Sequence, residues 1–149
     1  MGGAALLSRA LGGGLPSLRA TIVRYLPAYA PFAFGMWLAH YSFHFFTGFL
    51  TVIPVTQNLL LEFGMWRGEP AWGLAQVLPD GVIGRFEVLA IALGLGGTLI
   101  ALHRTALAVA GERRAVAAFV PWAVLALGLC AFGLWVMSQP MEMRGTFLA

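Results

Sequence analysis

The sequence has no lysine, one cysteine and six carboxylates in 149 residues, and each shortage narrows what the chain can be. Charged residues make up 10% against 60% hydrophobic ones, with a mean hydropathy of +0.83. That is too little charge to coat an ordinary globular domain, so membrane spans must account for most of the chain. The lone Cys130 lies inside an apolar run. It can close no internal disulfide, and an iron–sulfur cluster needs about four ligands, so the chain is expected to hold no cluster of its own. The net charge of +3 comes from arginine alone, and in so apolar a chain it reports orientation in a membrane rather than nucleic-acid binding. Also missing are a Ser-His-Asp set, an HExxH zinc pattern and a phosphate-binding glycine loop followed by lysine. A catalyst acting alone is therefore not expected.

What the chain does have is long apolar runs. Phe32 to Ile53, FAFGMWLAHYSFHFFTGFLTVI, reaches roughly 33 Å as a helix, enough to cross a hydrocarbon core of about 30 Å. His40 and His44, four positions apart, project from one face with Trp37, Thr47 and Thr51 on or beside them. A polar stripe on a spanning helix seeks protein, cofactor or water rather than lipid. Two further runs follow, from about Phe86 to Ala110 and from Val116 to Met137.

The expected architecture is an all-α integral membrane protein with three transmembrane helices plus N-terminal and periplasmic interfacial amphipathic helices. Residues 1–31 form the N-terminal interfacial segment, 32–54 the first span, and 55–85 a periplasmic interfacial connector. Residues 86–110 form the second span, 111–115 a cytoplasmic turn, 116–137 the third span and 138–149 a periplasmic tail. The N-terminal arginines are not grouped before an apolar core as in a cleaved signal peptide, so the segment is expected to be kept. Ser17 is a plausible N-cap for a helix with Leu18, Ile22 and Leu26 on one side and Arg19 and Arg24 away from it. Pro27 and Pro31 mark where the first span begins and Pro54 where it ends, while Pro121 falls near the start of the third. Trp66 and Trp72 in the connector suit an interface, and Trp37, Trp122 and Trp135 suit belt or packing roles.

Arginines flank the N-terminal side of span one (Arg9, Arg19, Arg24) and the turn between spans two and three (Arg104, Arg113, Arg114), whereas the connector is mixed. The positive-inside rule then puts the N-terminus in the cytoplasm and the C-terminus in the periplasm of a bacterial inner membrane.

The candidate ligands are few. His40, His44 and His103 could bond a quinone or relay protons; His40 and His103, at similar depth on antiparallel spans, could instead be axial ligands of a haem b in a small cytochrome. The glycines at Gly94, Gly96 and Gly97 would admit either a macrocycle or a partner helix. Met137, Met141 and Met143 are soft ligands suited to Cu(I), so periplasmic copper handling is a further alternative. Against these stands a purely structural or assembly role, with the histidines bonded to neighbouring helices or lipid headgroups.

The segments GMWLAHYSFHFFTGFLTVIPVTQ and MSQPMEMRGTF, with the spans between them, resemble the hydrophobic C-terminal portion of membrane-bound polyferredoxin-type (4Fe-4S) electron-transfer proteins, over most of the chain from about Ser8. That group carries cysteine-rich cluster motifs upstream, and this chain has only Cys130. The resemblance therefore implies a membrane module of a quinone-linked respiratory or photosynthetic electron-transfer complex. Its partners would be other membrane subunits, lipid and an iron–sulfur protein that holds the clusters.

Overall fold

A computed structural model describes residues 1–13, 17–75 and 78–139, and among these every regular element is helical. The elements are α1 (Gly2–Gly12), α2 (Leu18–Tyr25), α3 (Ala30–Gly48), α4 (Val52–Glu62), α5 (Asp80–Ala110) and α6 (Glu112–Met137). Three helical runs, Leu18–Glu62, Gly81–Ala110 and Glu112–Met137, are each long and apolar enough to cross a membrane.

The prolines do not stop the first run. Short 3-10 turns at Leu26–Tyr29 and Phe49–Thr51 carry the chain from α2 into α3 and from α3 into α4. Pro31 and Pro54 each fall in the first turn of a new helix, where the missing N–H has no intrahelical acceptor to serve. Pro54 therefore opens α4, and the helix continues through residues that the sequence assigns to a connector.

Pro121 shows the opposite arrangement. Because α6 begins at Glu112, directly after Gly111 with φ +69°, Pro121 lies well inside the helix rather than near its start. The left-handed Gly111 makes the reversal from α5 to α6 in one residue, a conformation that glycine adopts without steric cost.

The chain divides into two compact units: residues 1–31 with 95–149, and residues 32–94. In the first, Trp122 is fully buried, stacked face to face on Tyr25 at 4.8 Å and met edge-on by Tyr29. Around these rings the seam is built from small residues: Ala5 of α1, Ala106 of α5, and Ala115, Ala118 and Ala126 of α6. A Cβ added at Gly12 would collide with Ala118, so α1 lies against α6 at backbone distance. Ser8 donates to the Ala118 carbonyl at 2.8 Å and Tyr29 donates to the Trp122 carbonyl at 2.8 Å. The Ser8 bond serves a carbonyl three residues before Pro121, where proline disturbs the helical ladder and a side-chain donor can compensate, and the Tyr29 bond ties the 3-10 turn to α6 at Trp122.

The leucines take the other side. Leu6, Leu7 and Leu11 of α1 are exposed, as are Val116, Val124, Leu127 and Phe132 of α6. In α2 the buried residues are Thr21 and Tyr25, with Leu18 and Ile22 at the edge of the core and Leu26 exposed. The inner face of α2 is thus set by Thr21 and Tyr25, with Leu18 and Ile22 flanking them. In lipid, apolar bulk gains nothing by turning inward, and close packing of small residues is what holds helices together.

In the second unit α3 buries Phe32, Gly35, Ala39 and Ser42, one stripe at three- and four-residue spacing. It runs antiparallel to the first half of α5: Gly35 lies on Ala90 and Gly94, and Phe46 meets Phe86 edge-on. Beyond α4, Gln57 accepts from the Ala71 backbone N–H at 2.7 Å and ties down the segment that carries the exposed Trp66 and Trp72.

Candidate functional site

The α3 stripe that packs on α5 is not the stripe that carries the histidines. Ala39 faces inward, which turns His40 and His44 outward, and both are exposed. Their rings meet edge to face at 4.8 Å, the approach that i and i+4 positions allow. Tyr41 stands edge-on to His40 and Phe43 edge-on to His44. Glu87 of α5, partly buried, lies within electrostatic reach of His40.

Beside this pair is an open groove of about 690 Å³, lined by Trp37, Tyr41, His44, Phe45, Phe49 and Phe86 among others. Its walls are ring faces and edges: Trp37 lies 4.9 Å from Tyr41, and Phe45 stacks on Phe49 at 4.8 Å. The aliphatic hydroxyls nearby are committed to the helix itself, Ser42 to the Ala39 carbonyl and Thr47 to the Phe43 carbonyl, while the Tyr41 phenol lines the slot alongside the histidine. His44 is therefore the imidazole that lines the slot, with His40 touching it from behind. Such a slot suits a flat, apolar ring with a polar edge, since aromatic walls stack on its face and an imidazole can hydrogen-bond its rim.

No protein-family model matches this chain, and neither its sequence among curated proteins nor its fold among solved structures finds a significant match. The site must be read from its own geometry.

His103 is exposed and belongs to the other unit, where it lies edge-on to Phe119 at 5.6 Å. Of the three glycines that could open space in α5, Gly94 is covered by Gly35 and Gly97 by Pro31, while Gly96 borders open space. The close approach expected of this cluster is thus used within the chain. Among the described residues, no group of three or more His, Cys, Asp or Glu is placed to hold a metal ion. Met137 is half-buried at the end of α6, and Met141 and Met143 lie outside the described residues.

Sequence reasoning missed Trp122, Tyr25 and Tyr29 as a core. Tyr25 and Tyr29 are four residues apart, a spacing that places two rings over one partner, and this was the available signal. Trp37 and Trp135 are exposed, 53% and 58%, so of the three span tryptophans only Trp122 is a core residue. Glu87, seven positions after the start of α5, lies within electrostatic reach of His40, a pairing that spacing along the sequence does not reveal.

Proposed function

We propose that this chain is an integral membrane subunit of a quinone-linked electron-transfer complex in a bacterial inner membrane, crossing three times with its N-terminus in the cytoplasm. The observation that carries the reading is the outward-facing His40–His44 pair beside an aromatic slot on a helix apolar enough to span. An imidazole at that depth calls for a polar partner, and none besides its neighbour and Glu87 is evident within the described part of the unit. A quinone ring in the slot would stack on Trp37, Tyr41 and Phe45 and accept a hydrogen bond from His44. Reduction of a quinone to a quinol takes up two electrons and two protons, and His44, His40 and Glu87 form a short row of proton-bearing groups leading from the slot. The electrons would come from an iron–sulfur protein docked on the assembly, since this chain offers a single thiol.

The membrane setting is supported by the distribution of bulk: alanine and glycine supply much of the seams, while many leucine, valine and phenylalanine side chains face outward. The test is purification in mild detergent with whatever subunits accompany the chain, followed by quinone reduction with wild type, His44→Phe and the double variant His40→Phe/His44→Phe. The reading expects redox partners in the preparation and a loss of quinone turnover in both variants while the complex stays intact. Unchanged turnover in the double variant would reduce the chain to a structural subunit. A Soret band lost in both His40→Ala and His103→Ala would replace the quinone with a haem.

A further inference from the structure

A second groove, of about 750 Å³, lies wholly within the other unit and is lined by Arg24, Val23 and Pro27 at the end of α2 and by Arg104, Thr105 and Ala108 of α5. Both arginines are exposed, and among the described residues neither makes an ion pair. Thr105 donates to the Ala101 carbonyl at 2.9 Å, which leaves the two guanidinium groups as the polar recognition elements of an otherwise apolar trough. Arg104 lies six residues before the end of α5 at Ala110, about 9 Å along the helix axis. At that depth a guanidinium snorkels to the headgroup layer.

We infer that this groove binds an anionic phospholipid, its phosphodiester held between Arg24 and Arg104 and an acyl chain laid along Val23, Pro27 and Ala108. Charge complementarity selects the occupant. Two guanidinium groups with no facing carboxylate among the described residues present a double fork of N–H donors that matches phosphate oxygens, and basic pockets between helices on the cytoplasmic side are where acidic headgroups bind. A free phosphate would satisfy the arginines but leave the trough uncovered, whereas a lipid fills both parts.

The inference rests on the three-span reading alone and is independent of the quinone. Its test is native mass spectrometry of the full chain released from nanodiscs of mixed phosphatidylcholine and phosphatidylglycerol. Wild type should retain phosphatidylglycerol selectively, and Arg24→Gln/Arg104→Gln should lower that retention by about tenfold or more, as expected for loss of two charge-assisted contacts. Arg113→Gln/Arg114→Gln, which removes equal charge from the first turn of α6, should retain it, and added inorganic phosphate should not displace it. Equal loss in the two double variants, no loss in the first, or displacement by phosphate would each overturn the site. Failure of the three-span reading shows separately, as release of the chain from membranes by alkaline carbonate; a chain that resists release yet shows no selectivity refutes the lipid site alone.

Discussion

Replacing Gly35 by alanine adds one methyl group at the point where α3 lies on α5. That Cβ would stand 2.6 Å from the Ala90 carbonyl oxygen and 3.2 Å from the Gly94 Cα. Carbon contacts are comfortable only from about 3.5 Å, so the two backbones would have to part by nearly 1 Å. Neither obstacle is a flexible side chain that can swing aside. Overpacking of this kind costs about 1–3 kcal/mol, offset by up to about 1 kcal/mol because alanine is the better helix former. A net loss of about 1–2 kcal/mol is expected. Gly96→Ala, also on α5 but in the other unit, provides the control: nothing lies within 4 Å of its added Cβ, so it keeps the propensity gain without the clash. Thermal unfolding in detergent, followed by intrinsic tryptophan fluorescence, should place Gly35→Ala below wild type and Gly96→Ala at or above it. Equal midpoints for the two variants would refute backbone-level packing of α3 on α5.

Three further outcomes follow from the other unit. Tyr29→Phe removes the donor to the Trp122 carbonyl and should cost about 1 kcal/mol, while Tyr25→Phe, whose buried hydroxyl stands beside Ser8 without a well-aligned hydrogen bond, should leave stability unchanged or slightly raised; chemical unfolding in mixed micelles compares them. Ser8→Ala removes the donor to the Ala118 carbonyl beside Pro121 and should cost a similar amount, seen as faster labelling of the buried Cys130 by a thiol dye on warming. Trp122→Ala should cost about 3–5 kcal/mol as a core truncation, and a variant that still extracts and unfolds like wild type would contradict the ring stack as the centre of that unit.

The helices were legible because span length and hydropathy depend on composition alone. The Ser17 cap was legible too, since its hydroxyl accepts the Ala20 N–H at 3.1 Å as the pattern of a helix start requires. What the pattern concealed was which face packs. The Leu18–Ile22–Leu26 spacing marks one side of α2 without saying how deeply it packs, and the close approach of Ala5, Ala118 and Gly12 decides the seam. Proline was misleading at one position: Pro54 ends a helix only if the chain cannot restart one within a 3-10 turn. The histidine pair was visible from its spacing, but its outward direction depends on Gly35, Ala39 and Ser42 packing on α5, a tertiary fact.

The claim on which the rest depends is that this chain crosses the membrane an odd number of times. Single cysteines introduced in a Cys130→Ser background as Gly3→Cys and Gln139→Cys, probed with a membrane-impermeant maleimide on intact spheroplasts, test it directly. Three crossings with a cytoplasmic N-terminus predict that the Gln139→Cys variant is labelled from outside and that the Gly3→Cys variant is labelled only after lysis. Labelling of both variants from the same side would contradict the account.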